Sequence, residues 1–294
     1  MGANEELRRS TAPELEELEL ELLLEAVVRR FGFDFRLHER VPLKRKLFDF
    51  MQQRGLATLS QLQDQVLHDG ATVGTLLRAL HVPPAGLFDA PVEALLLRQA
   101  AEQSLRGAAL PRVWLADCAG AGQAWTLAII LADMGLLEHA EIHATVASDD
   151  LLDEAMAAWL PAVELDRAQA AYEQSGGQRR LADFFQLQSG RAVLAPALRN
   201  RISWAQYNLV TDASFNEFNF ISCQRALPDF GPLLRQRVLQ LFHDSLAPLG
   251  TLALDRPLDP AAPLAASYVP LSPPQPWYKK MGYVPIFYVQ NCTT

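Results

Sequence analysis

Apolar positions in the first third of the chain recur at helical spacing. The segment LEELELELLLEAVVRRF, Leu15 to Phe31, predicts a helix with one buried stripe. Thr11 and Glu14 make a capping-box pattern, Pro13 suits an early helical position, and Gly32 is a stop. A second helix is predicted over Leu43 to Arg54, closed by Gly55. Thr58 would cap a third that ends near Gly70, and the short GTLLRALHV helix stops at Pro83 and Pro84. From about Pro111 the texture changes to strand, loop, helix. RVWLADC reads as a strand, AGAG as a small-residue loop and QAWTLAIILADMG as a helix. IHATVAS, ISWAQYNL, FNFISC, TLALDR and YVPIFYV read as further strands. DLLDEAMAAWL and PLLRQRVLQLFHDSLAPLG, the latter running to Gly250, read as helices. Strands alternating with helices predict a mostly parallel α/β sheet covered on both faces. The division is a helical domain over residues 1–92 and an α/β domain over 93–294. An irregular polar stretch near 167–201 reads as a small insertion, and Leu258 to Pro276 as a surface loop.

In open sheets of this kind ligands sit at the carboxyl ends of strands, near the switch point. Here that means the loop after Cys118 and the ends of IHATVAS and FNFISC.

Composition narrows the partners. The net charge of -8 and the absence of a basic stripe argue against nucleic acid. No stretch is apolar enough for a signal peptide or a membrane span, so a cytoplasmic protein without membrane insertion is expected. Cys118, Cys223 and Cys292 are scattered and odd in number, which predicts neither a disulfide nor a zinc site. His139 and His143 lack a third ligand nearby, so no metal is expected. Asp149 and Asp150 read as caps of the following helix.

Several of these segments carry a resemblance. RVWLADCAGAGQAWTLAIILADMG resembles the RVWSAACSTGEEPYSLA segment of CheR-type protein-glutamate methyltransferases, and IHATVASDDLLDEA resembles their ATDIDTDVLEKA. ISWAQYNLV and FNFISCQRALPDF resemble VxFxxxNLL and FDLIFCRNVLIYF, and GFDFRLHERVPLKRKLFDFMQQRG looks like their helical N-terminal domain. The resemblance runs from about Leu22 to Leu254. It implies a Rossmann-like class I methyltransferase sheet behind a helical domain, with S-adenosylmethionine as cofactor. It also implies a small β-subdomain in the 167–201 stretch, of the kind that docks a receptor tail.

The departures decide the functional expectation. The family's TTNxTxFFR falls on His81 to Asp89, so its Arg becomes Asp89. STGEE becomes Ala119, Gly120, Ala121, Gly122 and Gln123. The acidic residue of ATDID, which would hold the ribose, becomes Val146. In FDLIFCRN the last two positions become Gln224 and Arg225, and the Tyr of IYF becomes Asp229. Cys118, Asn208, Leu209, Phe218 and Cys223 survive. The resemblance therefore implies a vestigial cofactor cleft of Asp117, Gly120, Ala121, Gly122, Val146, Asn208, Leu209, Cys223 and Gln224, with no catalytic residue. Asp229 would repel a substrate carboxylate. Arg45, with Lys46 beside it, is either a substrate-cleft residue or a surface one. The expected function is a catalytically degenerate binding or scaffolding protein with a chemosensory or signalling protein partner. One alternative is an active methyltransferase whose DCAGAG loop has been rewired around Asp117. A second is a small-molecule sensor using the old cleft.

Overall fold

The computed structural model describes residues 2–214 and 216–282. It divides into two compact units, Met1–Pro83 with Ala226–Val238, and Pro84–Arg225 with Leu239–Thr294.

The first unit contains helices α1 (Gly2–Phe31), α2 (Arg40–Gln53), α3 (Leu59–His68) and α4 (Gly70–Leu80). Leu20, Leu23, Leu24 and Val27 of α1 are buried at i, i+3, i+4, i+7 spacing, which is the stripe read from sequence. The helix starts earlier than predicted, so Pro13 lies inside it and Thr11 does not begin it. Thr58 accepts a hydrogen bond from the Gln61 N–H (3.2 Å), and Asp69 accepts one from the Ala71 N–H (3.1 Å). These side chains satisfy donors that a helix start leaves open. Gly32 and Gly55 stop α1 and α2 with φ of 82° and 67°, angles that suit glycine best.

The second unit opens with α5 (Pro91–Ser104), a helix the sequence reading did not single out. It continues with β1 (Arg112–Leu115), α6 (Ala121–Asp133), β2 (Glu141–Val146), α7 (Asp149–Met156), β3 (Leu160–Pro161) and α8 (Ala162–Gln174). There follow β4 (Phe185–Gln188), β5 (Arg191–Leu194), α9 (Pro196–Arg199), β6 (Ile202–Gln206) and β7 (Phe218–Cys223). Helix α10 (Pro232–Ser245), which begins among the residues of the first unit, leads into β8 (Leu246–Leu254), β9 (Tyr268–Pro270) and β10 (Trp277–Lys280).

The main sheet has the order β6-β2-β1-β7-β8-β10-β9. The first five strands are parallel, whereas β10 is antiparallel to both its neighbours. Central β1 is buried on both faces, as a covered parallel strand should be. Trp114 packs on Phe218 and on Phe242 of α10, while Val113 and Leu115 join the cluster that holds α6. The chain steps from β1 outward to β2 and later returns to β7 on β1's other side. The β1/β7 gap is therefore the switch point.

Three local expectations are corrected. The helix predicted to run to Gly250 ends at Ser245, because the apolar run Leu246–Leu254 pairs with β7. Leu258 to Pro276 is not all loop, since Tyr268–Pro270 pairs with β10. Ser148, not Asp149 or Asp150, caps α7 by accepting from the Leu151 N–H. The small β-subdomain expected in the 167–201 stretch is present as a three-stranded antiparallel sheet, β3-β5-β4, beside much of α8, with its first strand lying before that stretch. YVPIFYV and Cys292 lie outside the described residues.

Candidate functional site: the strand-end cleft

Past β1 the backbone splays across the switch point. The Ala116 N–H donates to Ser222 O of β7 (2.8 Å), and the Cys118 N–H donates to Thr145 O of β2 (2.7 Å). Asp117 sits between these anchors, half-buried, with φ of 49°. A non-glycine residue there costs about 1–3 kcal/mol unless its surroundings hold it. Gly120 follows with φ of 79° and opens α6 without a capping side chain of its own. Gln123 instead reaches back, and its Oε1 accepts from the Ala119 N–H just before the helix at 2.7 Å.

Residues Pro84 to Asp89 lie directly on this turn. The Ala85 N–H donates to Ala119 O (2.7 Å), and the Phe88 N–H donates to Thr126 Oγ1 (3.0 Å). A Cβ on Gly122 would stand 2.2 Å from Ala85 O, so only glycine fits there. Asp89 Oδ2 accepts from the Gly86 N–H (3.1 Å) and from Arg225 Nη2 (2.9 Å). Arg225 leaves β7 with φ of 74°. The two departures Arg to Asp89 and Asn to Arg225 thus form one ion pair, with the guanidinium now on the opposite side.

At the end of β2, Val146 is apolar and 2% exposed. Its carbonyl accepts the Tyr207 N–H (2.9 Å), which brings the end of β6 alongside. Asn208 is engaged locally: its Oδ1 accepts from the Val210 N–H (2.9 Å) and its N–H donates to Asp212 (2.8 Å). Leu209 is buried. At the end of β7, Cys223 is buried and Gln224 is 8% exposed, with its Nε2 lacking a hydrogen-bond partner. Gln224 lines a cavity of about 70 Å³ with Asp89, Gln123, Thr126, Arg225 and Trp277. Pockets that take drug-sized ligands hold roughly 300–1,000 Å³.

Burial, and next the Asp117 carboxylate, push the Cys118 and Cys223 thiols well up, so both stay protonated. They are inert core residues, not nucleophiles. Asp255, just past β8, is pushed up by burial to about 6. Its elevated pKa was not legible from sequence, because nothing in LALDRP signals burial of the carboxylate.

Asp117, Gly120, Ala121, Gly122, Val146, Cys223 and Gln224 therefore gather at the strand ends, with Asn208 and Leu209 following β6. Arg45 and Asp229 fall in the first unit. Arg45 is exposed. Asp229 is not an uncompensated charge, which corrects the expected repulsion: Lys46 Nζ donates to its Oδ2 at 2.5 Å and to Leu80 O at 2.9 Å. Sequence reasoning missed this pair because its members stand 183 positions apart. Among the described residues no cluster of three or more His, Cys, Asp or Glu side chains is placed to hold a metal.

A mostly parallel sheet with this reversal, behind a helical segment, defines a class I methyltransferase fold. The chain belongs to the CheR methyltransferase family: residues 89–256 match its SAM-binding domain and residues 18–81 its all-alpha domain. The chain is 32% identical over 238 residues to "Putative methyltransferase Cher3" of Pseudomonas putida, covering 81% of this chain and 87% of that one. It is 23% identical to a chemotaxis protein methyltransferase of Listeria innocua, covering 77% and 84%. Among solved structures it is similar to CalO1, a methyltransferase of calicheamicin biosynthesis in its SAH-bound form (TM-score 0.35, 12% identity, 70% of this chain and 44% of that one). It is also similar to the glycopeptide N-methyltransferase MtfA with S-adenosylmethionine (TM-score 0.33, 18% identity, 59% and 58%).

S-adenosylmethionine is the ligand of the matched domain. Against it the residues present fit poorly. Val146 offers no acceptor for ribose hydroxyls, Asp89 and Arg225 pair with each other, and the amide oxygens of Gln123 and Asn208 accept from backbone N–H groups. Asp117 is the acidic residue of the turn itself.

Proposed function

We propose that this chain is a catalytically degenerate CheR-family protein that serves as a binding or scaffolding component of cytoplasmic bacterial chemosensory signalling. The observation that carries the reading is Val146, an apolar and fully buried side chain at the end of β2. Methyl transfer to a carboxylate needs no general base, so the protein's contribution is mostly to hold two reactants in line. A hydrogen bond to an ionised acceptor contributes about 1.5–3 kcal/mol, or roughly 10-fold to 100-fold in affinity. Removing one such holder and engaging the others internally weakens what aligns a cofactor. The chemosensory setting is supported by relatives named as chemotaxis protein methyltransferases.

A second reading, an active methyltransferase with a rewired turn, is favoured by one observation. Asp117 is held in a left-handed conformation at the switch point, where strain of this kind gathers around function.

Calorimetric titration with S-adenosylmethionine separates the two. The expected dissociation constant is about millimolar or weaker, with no labelled methyl passed to a chemoreceptor cytoplasmic fragment. Micromolar binding or turnover would refute degeneracy. If Asp117→Ala then abolished that binding, the rewired turn would be established.

A further inference from the structure

Helix α1 has two apolar faces, and among the described residues the fold buries one of them. Leu20, Leu23, Leu24 and Val27 are buried in the helical core. Leu15, Leu18 and Leu22 are 58%, 52% and 50% exposed. Their spacing of three and then four is the a-d-a pattern of a helix–helix seam. At 3.6 residues per turn the three side chains stand within about 60° of one another, along about 10 Å of helix. Single exposed leucines are ordinary, but an aligned set on one stripe marks a contact surface.

The border of the stripe says what fits it. Glu14 and Glu21 are exposed along one edge, and Glu19, which accepts a hydrogen bond from Ser60 (2.5 Å), lies along the other. The acids turned toward the core are already matched: Lys44 pairs with Glu16 and Glu17, each at 2.8 Å. The seam ends at Glu25, whose carboxylate is held by Arg29 and Arg36.

We propose that this outer face of α1 docks an amphipathic helix from a partner protein, with an apolar stripe bordered by Lys or Arg. A second copy of the same face would set its acidic border against an identical one, and like charges oppose that pairing. An anionic membrane surface is disfavoured for the same reason. The surface lies wholly on α1 and stands whether or not the strand-end cleft proves active.

The test uses the full chain and two synthetic helical peptides with the same leucine stripe, one bordered by Lys and one by Glu, read by fluorescence anisotropy. The Lys-bordered peptide should bind and the Glu-bordered one should not. The triple variant Leu15→Ser, Leu18→Ser, Leu22→Ser changes only half-exposed positions. It should keep its circular dichroism spectrum and lose affinity about 10-fold or more. The double variant Glu14→Lys, Glu21→Lys should shift preference toward the Glu-bordered peptide. Affinity unchanged in the triple variant would overturn the proposal. So would a dimer in sedimentation that the triple variant abolishes, because the occupant would then be a second copy.

Discussion

Val146 shows how a single position separates a motif's letter from its environment. Read against the family's motif, the substitution suggests that Val146→Asp would return a ribose partner. With 2% exposure the site instead lies within the sheet's packing, beside Ala144 and Ile142 in the same buried cluster. A carboxylate there is buried without a designed partner, which is among the few mechanisms that produce large destabilisation. Val146→Asp should lower unfolding stability by about 2–3 kcal/mol near neutral pH. The deficit should shrink toward acid, because burial raises the carboxyl pKa and the folded state then holds the proton. Urea unfolding at both ends of that range checks it. Cofactor affinity should rise by no more than about 10-fold to 100-fold, and methyl transfer should stay absent. An undiminished stability would mean that the side chain reaches the cleft as a ribose ligand must.

At the scale of elements, the turn between β1 and α6 and the segment Pro84–Asp89 behave as one piece. The Ala85 amide and carbonyl both meet that turn, so residues before α5 are fastened where the cleft begins. Gly122→Ala would set a Cβ 2.2 Å from Ala85 O, and backbone rather than a flexible side chain must give way. The variant should lose about 1–3 kcal/mol. Hydrogen exchange should speed up at the Ala85 and Phe88 amides while those of β1 stay protected. Unchanged protection at Ala85 would show that the segment is not held by this contact. The elements themselves were largely legible. Periodicity placed α2, α3, β1, α6, β2 and β7, and the order of the strands' motifs carried the family. What the sequence did not yield were pairings across long separations. Asp89, Arg225 and Asp229 look like isolated departures along the chain, and Asp89–Arg225 and Lys46–Asp229 become ion pairs only when segments distant in sequence meet. Side-chain capping of the cleft's own amides by Gln123 was hidden for a similar reason, since a Gln on a helix start has several possible partners.

At the scale of the molecule, the two units titrate for different reasons. In the first, His38 is packed against Phe35 and Phe230, with ring centroids 5.0 and 5.3 Å away. Burial is the largest influence on it and pushes its pKa down to about 4. Asp229 and Asp34 pull the other way, and His81 and Lys46 add to the drop. The unfolded chain takes up this proton near pH 6.5 and the folded one only near 4, so between those values the unfolded state binds more protons. Stability of the first unit should therefore fall as pH falls through that window, by about 3 kcal/mol in all. The acids of this unit whose pKa is lowered, Glu17, Glu25, Asp34 and Asp69, withdraw their contributions only at still lower pH. The second unit has no single sign. Asp255, raised to about 6, gains a proton early on folding and so favours the folded state as pH drops, whereas His143 and His243, both lowered by burial, oppose it. All five tryptophans belong to the second unit, so their emission follows that unit alone. Far-UV circular dichroism also senses the helical first unit. Acidification from about pH 7 to about pH 4.5 should bring the dichroism-detected urea midpoint down ahead of the fluorescence-detected one. His38→Phe should flatten that response, because the ring's Nδ1 has no hydrogen-bond partner to lose. A His38→Phe chain with an unchanged acid response would show that another group of the first unit governs it.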